Sequence, residues 1–521
     1  MKIDSVKITN FRGYSCETEI SFDNLTVFVG KNDIGKSSVL EALDIFFNDG
    51  KGAVKFDKSD VSVKNQEDGS QEVSIAVIFT DLPEKIVIDA TVETTLEESY
   101  LLNADNKLEV VKKYKGTAAP KVFIKAQHPT NPKCAKLLLK KNSDLKGLIE
   151  KYELNDTEGL DIRNNSSMRK ILWENFSKKL ELDEIDIDVS KEDAKAIWGK
   201  LSEYMPVYSL FQADRKNDDK DSEVQDPLKA SVKEILNEQI LKEELDKIAQ
   251  RVRAKLDEVA KRTVEKLDEI DPKVAKSLKP VIPPTENLRW VDVFKNVSIA
   301  GDENISVNKR GSGTKRLILL SFFRAETERR LEESETNGVI YAIEEPETAQ
   351  HTDNQRKLIQ ALKELSRMKD VQIVLTTHSP YIVKQLEYEN LRLVQENPAD
   401  ASRKVIKVRR GQLAYPSLNE VNFIAFNEDT EEYHNELYGT LEERNWSQEY
   451  KNGKPLVAYN RVKRNGEIIE ENITLTEYIR HQIHHPENKN NRRYNPEELH
   501  RSLLQMRYFI EQKRHEEEEN E

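Results

Sequence analysis

Gly30-Lys31-Asn32-Asp33-Ile34-Gly35-Lys36-Ser37 decides how this chain is read. The stretch fits G-x-x-x-x-G-K-[ST]. In that loop glycines let backbone N–H groups curl around phosphate oxygens, where side chains would obstruct them. The chain has only 18 glycines in 521 residues, so two at this spacing need a reason. The flanks agree. Thr26–Val29 is a short hydrophobic run of strand character, and Ser38–Phe47 has the apolar periodicity of a helix whose positive end would face a bound anion. In this pattern Lys36 reaches the β- and γ-phosphates and Ser37 ligates Mg²⁺. Gly30, Asn32, Gly35 and Ser38 complete the predicted contacts, and the expected ligands are ATP and Mg²⁺.

Two further stretches fit the same chemistry. Val339–Ile343 is a buried-type strand that runs into Glu344 and Glu345, followed by Pro346-Glu347. One acid at a strand end holds the metal through water, and its neighbour orients or deprotonates the attacking water. Glu344 is assigned to the metal and Glu345 to the base. Val371–Thr376 is a second buried strand, and it leads into Thr377-His378-Ser379-Pro380. His378 is placed to contact the γ-phosphate and sense its loss.

Composition excludes several classes. A net charge of −13 argues against a surface built wholly to grip nucleic acid, while a local basic groove stays open. Cys16 and Cys134 cannot form a disulfide framework, which points to a reducing, cytoplasmic compartment. Residues 1–14 lack the apolar core of a secretory leader. Runs such as Leu317–Phe323 are far too short to span a bilayer, so no membrane partner is expected.

Strands are predicted at Val6–Ile8, Glu19–Phe22, Val73–Phe79 and Leu108–Tyr114, and a mainly helical pattern over 130–200. A polar loop, Ala213–Asp226, follows. After Pro227, Leu245, Ile248, Val252, Leu256, Val259, Leu267 and Ile270 fall mostly three and four apart. A continuous helix over 228–271 would be about 65 Å long. It is either an amphipathic helix packed on its own domain or part of a protruding antiparallel coiled coil. Further helices are expected at Leu317–Leu331, Thr348–Arg367, Thr474–His485 and Pro496–Gln512, and two strands within Asn390–Val408. The acidic tail from His515 is expected to be disordered.

The order of these parts resembles the ABC-type ATPase heads of the SMC, RecF and OLD group: phosphate loop, long insertion, Arg310-Gly311-Ser312-Gly313, paired acids, Thr377-His378-Ser379. Ile8–Tyr14 resembles that group's opening, where an arginine matching Arg12 approaches the nucleotide. Gln212 resembles the Q-loop glutamine. Ser312 and Gly313 stand where the group has its signature, in a form other than LSGGQ. The resemblance implies that they cap the nucleotide of another subunit. The implied fold class is α/β: an ABC-type P-loop head with lobes 1–130 and 285–400, a helical insertion 131–284 (coiled coil or not), and a mainly helical accessory or effector-docking region 401–521.

OLD and Gabija nucleases carry a Toprim domain after the histidine segment. Here no strand-borne Asp-x-Asp follows His378, so none is expected. The chain then looks like the stand-alone defence ATPases of Septu, PARIS and retron systems. That likeness implies an ATP-hydrolysing sensor or scaffold of a bacterial anti-phage system. It would form a homo-oligomer, a dimer or a multiple of dimers, and control a separately encoded effector, such as a nuclease, in response to a nucleic acid or phage protein. Two alternatives stand beside it. Arg480-x4-His485 has the spacing of HEPN ribonucleases, and the head itself resembles RecF-like DNA-repair ATPases. The other C-terminal histidines read as structural or interface residues, with His481 and His484 a weak metal pair.

Overall fold

All five residues of Leu25–Val29 and all six of Val371–Thr376 are buried. Strands covered on both faces belong to a parallel sheet with layers on each side. The computed structural model describes residues 1–67, 71–89, 92–116, 118–190, 194–212, 241, 243–251, 254, 338–348, 352–398, 400–408, 417–463 and 466–520. In chain order its strands begin with β1 (Lys2–Thr9), β2 (Thr18–Ser21), β3 (Leu25–Val29), β4 (Glu72–Thr80), β5 (Ile86–Asp89) and β6 (Val92–Thr94). They continue with β7 (Leu108–Lys115), β8 (Lys121–Pro129), β9 (Leu182–Asp188), β10 (Val207–Phe211), β11 (Val339–Glu344) and β12 (Val371–Thr376). The last are β13 (Leu391–Glu396), β14 (Arg403–Lys407), β15 (Leu456–Val462) and β16 (Ile468–Thr474).

One six-stranded sheet has the order β10-β11-β12-β3-β13-β14, parallel except for its last pair. The other has the order β2-β1-β4-β7-β8-β9 and is antiparallel throughout. Helix α1 (Lys36–Asn48) is fixed by residues of both. Tyr208 of β10 donates its hydroxyl to Leu40 O (2.6 Å), and Lys112 of β7 donates Nζ to Phe46 O (2.7 Å). Val39, Leu40, Leu43 and Phe46 on α1 join one core with Val77 and Val110 of the antiparallel sheet and Ala342 and Val374 of the parallel one. Burying each of the larger side chains, Val, Leu and Phe, contributes roughly 1.5–3 kcal/mol.

The chain divides into two units, Met1–Ala213 with Arg329–Glu521, and Asp214–Glu328. Described residues of the second are helical over 243–251, with Ala249 buried and Ile248 half exposed. The rest of the expected 228–271 helix, the expected helix Leu317–Leu331 and the glycine-rich Arg310–Gly313 lie outside the described residues.

The mainly helical pattern expected over 130–200 is what is found, with one strand within it. Helices at Asn142–Lys151 and Asn165–Asn175 precede β9, and Ala194–Glu203 follows it. β9 extends the antiparallel sheet, and β10 opens the parallel one beside β11. Residues 131–212, placed by sequence in the insertion, thus share a unit with the head. The acidic tail also differs from expectation: the last helix runs Pro496–Asn520, with Lys513 paired to Glu449 (2.6 Å) and Arg444 to Glu517 (3.6 Å). That helix packs with Leu418–Phe426, Glu431–Glu443 and Leu475–His484 around a second core that includes Leu437, Ile479, Leu503 and Met506. The hairpin β15–β16 completes this region. Among the described residues no helix is long and apolar enough to cross a membrane.

Candidate functional site

Parallel sheets present their loops for ligands at the carboxyl ends of their strands. Here neighbouring strands end, in spatial order, at Gln212 (β10), Glu344 and Glu345 (β11), His378 (β12) and the Gly30–Ser37 loop (β3). Parts far apart in sequence thus meet along one sheet edge.

The loop has the backbone its glycines predict. Gly30 has φ +150° and Gly35 φ +100°. A Cβ on Gly30 would lie 2.7 Å from Val394 O, so no larger residue fits without moving β13. The Tyr14 hydroxyl, fully buried, donates to Gly35 O (3.0 Å) and steadies the loop at the start of α1. Lys36 is buried and donates Nζ to Gly30 O (2.9 Å) and Lys31 O (2.8 Å). Burial lowers its pKa, and the charges of Glu345, Glu347 and Asp33 pull it back up. Asn32 is exposed; Ser37 and Ser38 are half-buried at the helix start.

Glu344 is buried at the last position of β11, in register with Thr376 of β12. Glu345 follows with φ +43°, a left-handed conformation costly for a side chain with a Cβ. Its N–H donates to Thr376 O (3.0 Å), which holds the turn, and its Oε2 lies 2.8 Å from His378 Nε2. The residue assigned as base and the histidine assigned as sensor are therefore in direct contact.

Arg12 and Gln212 meet as well, on one carboxylate. Glu41 of α1 accepts from the Arg12 guanidinium and from Gln212 Nε2 (3.2 Å). Arg12 Nε also donates to Asp60 (2.8 Å). The structure thus places Arg12 on acids beside the loop. Ser312 and Gly313 lie outside the described residues.

The sequence reading passed over Glu41, Tyr14, Glu347 and Thr377. Glu347 lay in the quoted Pro346-Glu347, but its partners are on the next strand and no local spacing marks them. In the C-terminal region, Arg480 donates to Glu442 (3.1 Å) and stacks on Tyr438, whereas His485 is exposed beside Glu487 (3.2 Å). The two face separate partners. Among the described residues no group of three or more His, Cys, Asp or Glu is arranged to hold a metal ion.

A phosphate ligand fits this site. The loop presents N–H groups at a helix start, a buried ammonium stands behind it, and a buried carboxylate and a serine hydroxyl flank the place where Mg²⁺ binds in such loops. Fold and site together define a P-loop ATPase head. The chain belongs to the AAA ATPase domain family, which it matches over residues 1–383.

A curated relative, "Endonuclease GajA" of Bacillus cereus (strain VD045), is 24% identical over 401 residues, 76% of this chain and 58% of the relative. The chain therefore spans under two thirds of that relative's length. Among solved structures, an SMC head bound to the C-winged helix domain of ScpA is 12% identical, with 79% of this chain and 99% of that one covered and a TM-score of 0.38. The SMC head domain from Thermotoga maritima is 12% identical, with 78% and 100% covered and a TM-score of 0.30.

Proposed function

We propose that the chain binds and hydrolyses Mg·ATP at the ends of β3, β11 and β12, and uses the cycle to hold or release a partner effector in anti-phage defence. One observation carries the reading: the Glu345–His378 contact (2.8 Å) lies at the same sheet edge as the buried Lys36, which feels the Glu345 charge. Lys36 would leave the loop carbonyls for the phosphates, exchanging two neutral acceptors for charged ones. Gly30, Asn32, Gly35 and Ser38 line the phosphate path. Ser37 and Glu344 would hold Mg²⁺, which when bound draws charge from the phosphate oxygens. Glu345 would take the proton of the attacking water at Oε2, and His378 Nε2 keeps that oxygen aimed. Arg12 and Gln212 would exchange Glu41 for the nucleotide. Ser312 and Gly313 of a second copy would close the site, which makes the active form a dimer or a multiple of dimers.

The relative named an endonuclease supports a link between this ATPase type and nuclease action. In this reading the nuclease is a separately encoded effector, in keeping with the lack of a strand-borne Asp-x-Asp after His378 in this sequence. Glu345→Gln tests the reading. Hydrolysis should fall roughly a hundredfold or more, as expected for loss of a general base. ATP binding should persist, and sedimentation should show a larger species with ATP than without. Hydrolysis at the wild-type rate would refute the base assignment, and an unchanged sedimentation coefficient would refute closure between copies.

A further inference from the structure

Glu347 is buried, acidic, and used by none of the steps above. It stands two residues past Glu345, beyond Pro346. Its Oε1 accepts two hydrogen bonds from the exit of the neighbouring strand: Thr377 Oγ1 (2.7 Å) and the backbone N–H of His378 (2.9 Å). Thr377 Oγ1 in turn accepts from Ser379 N–H (3.0 Å), and Thr377 N–H donates to Phe28 O of β3 (3.1 Å). The segment bearing His378 is thereby tied to the β11 exit by Glu347 and to the β3 exit by Phe28.

Two tethers join the β11 and β12 exits at this point. One is the side-chain contact between Glu345 Oε2 and His378 Nε2. The other is Glu347 on the backbone of the same histidine. A hydrogen bond to an ionised acceptor is about twice as strong as a neutral one, and two donors on one oxygen fix position and direction together. Glu347 Oε2 is buried and accepts no hydrogen bond among the described residues. Burying a carboxylate is costly unless hydrogen bonds offset it, and here the two on Oε1 are what the described residues supply.

We propose that Glu347 is the positioning residue of the hydrolytic pair: by holding the His378 backbone it sets the distance between His378 Nε2 and Glu345 Oε2. The inference rests on the ATPase reading above and names a residue that reading leaves without a role. It acts through His378 and touches no reacting atom.

Two conservative variants separate geometry from charge. Glu347→Gln keeps an oxygen at the Oε1 position and removes the charge. Glu347→Asp keeps the charge and draws the oxygen back by one methylene, out of reach of both donors. The measurements on the full chain are kcat and KM for ATP, the Kd of a non-hydrolysable ATP analogue with Mg²⁺, and the melting temperature. Glu347→Asp should lower kcat tenfold or more with analogue Kd and melting temperature close to wild type, and Glu347→Gln should keep at least a third of wild-type kcat. The inference is overturned if Asp is tolerated and Gln is not, which marks a charge role. It is also overturned if both variants match wild type, if both are equally inactive, or if the Asp variant loses analogue binding or thermal stability in step with kcat. A wild type that binds the analogue and does not hydrolyse ATP fails the ATPase reading itself, a result distinct from all of these.

Discussion

His434 and His128 show how a single buried side chain ties this fold to pH. His434 is fully buried, with Nε2 on Ser502 Oγ (3.0 Å) and Nδ1 without a hydrogen-bond partner among the described residues. Burial, then the charges of Arg480 and His484, pushes its pKa down to about 3 from the ordinary 6.5. His128, with Nδ1 2.9 Å from Tyr100 O, is pushed down by burial to about 4. Both stay neutral in the fold and become free to take up protons on unfolding. The native state then binds fewer protons than the unfolded chain below pH 6.5, so acid favours unfolding. Their contribution is whole above pH 6.5 and is lost as pH falls toward 4 and 3. The melting temperature should therefore hold near pH 7 and drop steadily below 6.5, more shallowly in His434→Asn. Identical pH slopes for the two proteins would contradict this. The strained φ of Glu345 works differently: its cost is met by the hydrogen bond to Thr376 and serves the contact with His378.

At the scale of elements, α1 is held at both ends. Its start is the phosphate loop. At its end Lys112 donates to Phe46 O (2.7 Å) and pairs with Asp49 (2.6 Å), a cation where the helix dipole is negative. Lys112→Met should cost about 1–3 kcal/mol, since it leaves a buried carbonyl unsatisfied. A lower urea midpoint with an unchanged slope would show it, and an unchanged midpoint would contradict the capping role. Legibility in the sequence follows the same division. The phosphate loop, the strands around it and the two buried strands ending in acid and histidine were legible because their signals are local. β9 was not, because Leu182–Asp188 sets acids between its leucine and isoleucines on an edge strand and offers only a weakly buried face. The β15–β16 hairpin was missed for a related reason, as Leu456, Val462 and Ile468 are exposed. The acidic tail read as disordered from its charge alone. Helical continuity and pairs such as Lys513–Glu449 are tertiary facts that composition does not carry.

For the whole molecule, one pattern recurs: chemistry assembled from segments that only the fold brings together. Lys36, Glu345 and His378 follow the ends of three strands adjacent in one sheet, while Arg12 and Gln212 share Glu41. The central claim is that this edge binds and hydrolyses ATP. Phosphate release from ATP with Mg²⁺ by the purified full chain, compared with Lys36→Ala, tests it most directly. The account predicts steady release by wild type, and release at background by Lys36→Ala with weakened ATP binding. Equal release by both proteins, or none by wild type, would contradict it.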